Sequence, residues 1–122
     1  DWNGWLVFFL QAIAIQATQN SERVTAIQAL YEEMKLAIQA ATRSQYTVHV
    51  LDAIFNKPIF RSSDLAQQLF REFGIHEKTG QGLLRQMRDT GILRELRPGS
   101  GRRPSTLCFP RLINLAEGRT VI

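Results

Sequence analysis

The sequence predicts a mainly α-helical protein, in which an N-terminal helical hairpin precedes a winged helix-turn-helix with a small β-hairpin wing. Residues 1–43 are rich in apolar side chains at helical spacing and lack proline. Residues 44–122 instead hold short apolar segments separated by turn-forming residues, among them Pro58, Gly74 and Gly91. A chain of 122 residues has room for one ordinary domain and an accessory element, so we place the boundary between residues 43 and 44.

The first predicted helix spans residues 2–18 and is apolar around nearly its whole circumference. A helix of this kind must be covered on more than one side, and one following helix covers only part of it. We therefore expect its aromatic side chains to form an interface with a second protomer or with an absent domain. The expected interface residues are Trp2, Trp5, Phe8 and Phe9. The chain also begins with Asp rather than Met, so we expect it to be the C-terminal piece of a longer protein.

A second amphipathic helix is predicted from Ser21, a suitable N-cap, to Ala41. Its apolar residues recur at spacings of three and four and so form one seam. The seam consists of Val24, Ile27, Tyr31, Met34, Ile38 and Ala41. We expect this seam to pack against the first helix in an antiparallel hairpin, with a joint at residues 42–44.

Short elements follow from Gln45 in the order of a helix-turn-helix. One helix must end before Pro58, after which residues 58–60 are extended. Ser62 and Ser63 offer an N-cap for a helix through Phe73, which Gly74 ends in a left-handed conformation, and Ile75 is then buried in the turn. A third helix is predicted over residues 77–90, with Gly91 as its stop.

The predicted wing is a β-hairpin directly after the third helix. Residues 92–97 and 105–109 are typical of strands, and residues 98–101, Pro-Gly-Ser-Gly, are typical of a turn. A short helix over residues 110–117 and an unstructured tail over residues 118–122 complete the prediction.

The third helix carries a polar, basic face opposite its apolar one, and in a helix-turn-helix this helix lies in the DNA major groove. Glutamine can read adenine there, and lysine or arginine can contact guanine or phosphate. Arginines of the wing suit phosphates or the minor groove, and hydroxyls at a helix N-terminus can donate to phosphate. The expected nucleic-acid-binding residues are Ser62, Ser63, Lys78, Thr79, Gln81, Arg85, Arg88, Arg102 and Arg103.

Charge is distributed unevenly and points to the same region. Residues 1–44 hold three basic and four acidic side chains, whereas residues 45–122 hold twelve basic and seven acidic ones, a net charge of +5. We therefore expect double-stranded DNA as the partner. Gly82 leaves a gap on the contact face, so specific recognition would require a dimer or an attached domain.

Catalysis within this chain is not expected. His49 and His76 are the only histidines, and each suits a surface or helix-capping role better than metal ligation. The single cysteine, Cys108, suits a buried position on a strand and cannot form a disulfide within one chain. We expect no catalytic residue, metal or cofactor in these residues. No membrane span or signal peptide is predicted, and we expect a cytoplasmic protein.

Residues 1–10, Asp-Trp-Asn-Gly-Trp-Leu-Val-Phe-Phe-Leu, resemble the aromatic helix that follows the catalytic motif in Fic family proteins, the protein AMP-transferases. Residues 73–93 resemble the turn, recognition helix and first wing strand found at the C-terminus of many members. The resemblance implies a parent enzyme that uses ATP and Mg²⁺ to transfer AMP to a protein hydroxyl, and an upstream Fic-like domain that covers the first helix. The family's His-Pro-Phe-x-x-Gly-Asn-Gly-Arg motif is absent, so no catalytic residue is carried over.

The expected function is therefore that of a C-terminal, DNA-binding or regulatory segment of a Fic family protein. Two alternatives stay open at this point. The winged helix can serve protein–protein interaction or dimerisation instead, or the chain can belong to an ordinary winged-helix transcription regulator.

Overall fold

In a computed structural model that describes residues 2–122, the chain is mainly helical, as the sequence predicts, and carries a small three-stranded antiparallel sheet where only a β-hairpin was predicted. The elements follow one another as α1 (Trp2–Thr42), α2 (Thr47–Asn56), β1 (Ile59–Arg61), α3 (Ser62–Phe73), α4 (Glu77–Asp89), β2 (Arg94–Arg97), β3 (Thr106–Cys108) and α5 (Pro110–Glu117). None of the helices in the described residues is long and apolar enough to cross a membrane.

The N-terminal region differs from the predicted hairpin. One continuous helix of 41 residues, α1, takes the place of two shorter ones, so the helical hairpin predicted over residues 1–43 is wrong. Ser21, predicted as the N-cap of a second helix, lies inside α1. The physical reason is that residues 5–42 contain neither glycine nor proline. The polar residues near Ser21 cost a helix only about 0.7 kcal/mol each relative to alanine, so nothing there forces the chain to reverse.

The two halves of α1 have different surroundings. Every residue from 2 to 25 is exposed, and we call this segment the exposed arm. In the C-terminal half, Leu30, Met34 and Ile38 recur every fourth residue and are buried in a core shared with the rest of the chain. The predicted seam therefore packs against α2, α4 and α5 rather than against another part of α1, and its first member, Val24, is exposed.

Two polar contacts reinforce the attachment of α1. The Tyr31 hydroxyl donates a hydrogen bond to Asp52 Oδ1 of α2 at 2.6 Å, and this bond is the main reason that the pKa of Tyr31 is raised to about 12. The Arg111 guanidinium of α5 contacts both carboxylate oxygens of Glu33, at 2.8 and 3.4 Å. Both contacts are exposed, so each adds at most about 1 kcal/mol to the packing of the apolar side chains.

The short elements after α1 follow the predicted order. Arg43 has a positive φ of 51° immediately after α1, so the long helix ends within the segment 42–44 where a joint was predicted. Helix α2 ends at Asn56, before Pro58. Gly74 ends α3 in the left-handed conformation, with φ 70°, and donates its amide to the Phe70 carbonyl at 2.9 Å.

Helix α4 packs against α3 along a face that includes Gly80. A Cβ at Gly80 would lie 3.5 Å from Leu69 Cδ1 and 3.6 Å from Ala66 Cα, which are ordinary van der Waals distances. The close approach of the two helices therefore does not require a glycine, and an alanine would also fit at this position. At the start of α4, His76 Nδ1 accepts a hydrogen bond from the Lys78 amide at 3.2 Å, so the predicted capping role of His76 is confirmed.

The sheet has the strand order β1-β3-β2, with both pairings antiparallel. The predicted β-hairpin corresponds to β2 and β3. Residues 58–60 were predicted only as extended, and the pairing of β1 with β3 was not predicted. Phe60 and Leu107 are paired across this junction and are both buried in the core.

The C-terminal residues are more ordered than predicted. Helix α5 matches the predicted range 110–117, but residues 118–122 are held by hydrogen bonds although they form no helix or strand. Asn114 Oδ1 accepts from the amides of Val121 at 2.8 Å and of Ile122 at 3.1 Å. Cys108 is fully buried on β3, as expected, and burial raises the pKa of its thiol.

Candidate nucleic-acid interface

The N-terminus of α3, the polar side of α4 and strand β3 enclose a cleft of about 240 Å³, which we call the α4 cleft. Its lining residues are Ser62, Ser63, Gln81, Leu84, Arg85, Arg88, Pro104, Ser105 and Leu107. Five of the nine predicted nucleic-acid-binding residues are thus brought together on one surface. The other four lining residues were not predicted to bind nucleic acid, and they are Leu84, Pro104, Ser105 and Leu107.

Helix α4 presents this surface because its two faces differ in polarity. Leu83, Leu84 and Met87 are buried against the core. Gln81 and Arg85 are four residues apart and therefore lie on the same side of the helix, which faces the cleft. The local sequence pattern alone is enough to orient these side chains.

Ser62 has a structural role that the sequence analysis missed. Its amide donates to the Ser105 carbonyl at 2.9 Å, and its hydroxyl accepts from the Ser105 hydroxyl at 3.3 Å. The N-cap position of α3 is Arg61 rather than Ser62 or Ser63, and no side chain caps the helix there. The predicted N-cap is therefore wrong, because β1 continues directly into α3 and the Ser62 amide donates to Ser105, the residue that precedes β3.

The charge of the α4 cleft is positive. Within residues 2–122, Arg85 has no carboxylate within 4.0 Å, whereas Arg88 pairs with the adjacent Asp89 at 3.4 Å. The cleft thus combines an unpaired guanidinium, the amide group of Gln81 and serine hydroxyls beside the N-terminus of α3. Such a set of donors is suited to an anion.

The other predicted residues lie outside the α4 cleft. Lys78 and Thr79 are exposed on the first turn of α4 but do not line it. Arg102 is exposed in the tight turn at the hairpin tip, which is closed by hydrogen bonds of 2.9 and 3.1 Å between the backbones of Ser100 and Arg103. Arg103 lines a different, larger pocket at the sheet edge, together with three further basic residues, Lys57, Arg61 and Arg97.

The four residues predicted to form an interface all lie on the exposed arm. Trp2 and Phe8 are 72% and 70% exposed, and Trp5 and Phe9 about half exposed. The Trp5 ring stacks on Trp2, with centroids 5.5 Å apart, and on Phe9, with centroids 5.3 Å apart. These stacks cover only part of each ring, so a large apolar surface stays open to solvent.

Both histidines make contacts with neighbouring residues. His49 stacks on Phe73, with ring centroids 4.0 Å apart, and His76 caps α4. In the part of the chain that the structure describes, no group of three His, Cys, Asp or Glu residues is close enough together to hold a metal ion.

Comparison with known proteins found no family model that matches the chain and no curated protein with significant similarity to it. The Fic family resemblance of residues 1–10 therefore stays a prediction.

Gly82 is the one position of the polar face of α4 where a side chain is missing. A Cβ at Gly82 would have no heavy atom within 4 Å. We therefore expect Gly82→Ala to raise the free energy of unfolding by about 1 kcal/mol, because alanine is the better helix former. Urea denaturation followed by circular dichroism measures this change. A destabilised Gly82→Ala variant would contradict the open space seen at this position.

Proposed function

We propose that residues 44–122 form a winged helix-turn-helix that binds double-stranded DNA through the α4 cleft. The order of elements supports this proposal, since two helices that meet at the Gly74 turn are followed directly by the β2–β3 hairpin. In this interpretation α4 is the recognition helix and the β2–β3 hairpin is the wing.

The observation that carries the proposal is the convergence of Gln81, Arg85 and Arg88 with the N-terminus of α3 and the base of the wing in one positive cleft. A basic helix face alone is often only a solvated surface. Here the basic face coincides with the helix that a winged helix presents to DNA, and the neighbouring wing is basic as well.

In the proposed complex, α4 enters the major groove and Gln81 reads a base edge, with adenine as its best partner. Arg85 contacts guanine or phosphate, and the Ser63 hydroxyl donates to the phosphate backbone. Because Ser62 is hydrogen-bonded to Ser105, we assign it the role of holding the start of α3 against the segment before β3, rather than a direct contact with DNA.

A double substitution tests this proposal. We expect Arg85→Gln with Arg88→Gln to weaken binding to a mixed-sequence duplex in fluorescence polarisation. We also expect it to make the slope of log K against log salt shallower by about 2, since each phosphate contact contributes about 0.9. The matched control is Arg71→Gln with Arg119→Gln, which removes the same charge from positions outside both the α4 cleft and the sheet-edge pocket. Undetectable binding by the unmodified chain at low salt would overturn the proposal.

A second function is favoured by a separate observation, the exposure of the aromatic residues on the arm. We propose that the exposed arm docks against protein. The Fic family resemblance suggests an upstream Fic-like domain as the occupant, in which case the parent protein would transfer AMP from ATP to a protein hydroxyl. A second protomer is the alternative, as for an ordinary winged-helix regulator. The coding sequence upstream of residue 1 distinguishes these two.

A further inference from the structure

A second concentration of positive charge lies at the edge of the sheet, in a pocket of about 400 Å³ that we call the sheet-edge pocket. It is lined by Lys57, Arg61, Arg97 and Arg103, and by a single carboxylate, that of Asp64. Arg61 pairs with Asp64 at 3.3 Å. Among the described residues, no carboxylate lies within 4.0 Å of the other three cations. Three uncompensated cations beside one ion pair leave the pocket strongly positive.

Strand pairing explains how residues distant in sequence meet here. Arg61 of β1 and Arg97 of β2 are both paired with Thr106 of the central strand β3. Directly paired residues point to the same face of a sheet, so both arginines lie over Thr106 on the face away from the core. With adjacent strands about 4.8 Å apart, the two backbones are about 10 Å apart, and both guanidinium groups can reach an anion placed above Thr106.

A β-bulge is what places Arg97 on this face. Glu95 pairs with Leu107, and the next pair is Arg97 with Thr106, so Leu96 is an extra residue without a partner. In a regular ladder Leu96 would oppose Thr106, and Arg97 would point to the side of the sheet that packs on the core. Bulges often redirect a side chain in this way near functional sites. Because of the bulge, the residue opposite Thr106 at the pocket is Arg97 rather than Leu96.

The sheet-edge pocket and the α4 cleft are adjacent. Pro104 lines both, the cleft from one side of the wing base and the pocket from the other. A polyanion that fills the α4 cleft can therefore continue past Pro104 into the pocket without leaving the positive surface.

We propose that the sheet-edge pocket is a phosphodiester-binding site, which holds a further stretch of the backbone of the same DNA duplex that the α4 cleft contacts. This inference depends on the proposed DNA-binding function and extends it. The wing base would then lie between two phosphate contacts, and the pocket would add affinity without reading sequence, because phosphates are the same in every base pair.

The test is a double variant, Lys57→Gln with Arg97→Gln, since neither residue belongs to the α4 cleft and both are exposed. Fluorescence polarisation with a 20-base-pair duplex is measured over a range of KCl concentrations. We expect weaker binding and a slope of log K against log salt that is shallower by about 2 than that of the unmodified chain. The control variant Arg71→Gln with Arg119→Gln has the same net charge and is expected to keep the original slope. Circular dichroism establishes that both variants are folded.

Four possible results separate the two proposals. A shallower slope for Lys57→Gln with Arg97→Gln, but not for the control, supports the pocket. If Arg85→Gln with Arg88→Gln weakens binding but Lys57→Gln with Arg97→Gln leaves the slope unchanged, the proposal for the sheet-edge pocket is overturned. The proposal for the α4 cleft then still holds. Equal losses in the pocket variant and the control also overturn it, because net charge alone would then explain the effect. Absence of binding by the unmodified chain overturns both proposals.

Discussion

Ile38→Ala is expected to lower the free energy of unfolding by about 3 kcal/mol, because it removes a core side chain and leaves a cavity. Ile38 is 1% exposed and belongs to the core that joins α1 to the rest of the chain. Urea denaturation followed by circular dichroism measures the change. The expected loss is large because Ile38 is almost completely buried, so the surrounding side chains lose their contacts with the removed atoms.

Leu36→Ala is the matched control for this prediction. Leu36 lies on the same helix, two residues away, and is 71% exposed. Its replacement is expected to change the free energy of unfolding by no more than about 0.5 kcal/mol. Similar losses for Ile38→Ala and Leu36→Ala would contradict the orientation of α1, since a rotated helix would bury Leu36 instead.

The chain is expected to self-associate through the exposed arm when no other protein covers it. Replacing Trp2, Trp5, Phe8 and Phe9 together by glutamine is expected to raise the dissociation constant at least about hundredfold, or about 2.7 kcal/mol. The physical reason is that each aromatic side chain offers an area of about 150–250 Å² for burial against a partner. Sedimentation velocity over a range of concentrations measures the association.

A control variant, Leu36→Gln with Val48→Gln, removes exposed apolar side chains that lie outside the exposed arm. It should associate as tightly as the unmodified chain. A strictly monomeric profile of the unmodified chain at high concentration would count against the exposed arm as a docking surface. So would a glutamine variant that associates with undiminished affinity.

Elements with local stop signals could be predicted from the sequence. Pro58 limits α2, Gly74 and Gly91 follow α3 and α4, and Pro110 begins α5. Each of these residues acts through its own backbone, so the prediction needs no knowledge of distant contacts.

Whether the N-terminal residues form a hairpin or one long helix could not be predicted from such local signals. Its predicted turn rested on a polar stretch near Ser21, but polar residues without glycine or proline are compatible with a continuous helix. Whether α1 folds back depends on the free energy of covering its apolar first half. That free energy is set by contacts far along the chain or outside it, which a local pattern does not contain.

The basic residues of the two candidate sites differ in the same way, in whether local sequence or distant pairing places them. Gln81, Arg85 and Arg88 were predicted because helical periodicity orients them locally. Lys57, Arg61 and Arg97 were missed because they meet only through the pairing of both outer strands with β3. The bulge at Leu96 shifts the register by one residue, and a shift of one reverses the face on which every later side chain lies.

The continuity of α1 has a geometric consequence. At about 1.5 Å per residue, the exposed arm, residues 2–25, is about 36 Å long, which is close to the length of one helical turn of B-DNA. The exposed arm belongs to the same continuous helix that Ile38 anchors in the core. The direction in which its tip points, relative to the α4 cleft, is therefore fixed. One residue inserted near position 25 would rotate the tip by about 100°, while seven would nearly restore its phase. The length of the exposed arm and its rotation about the helix axis therefore set how far from the α4 cleft, and in which direction, any protein bound at its tip would be held.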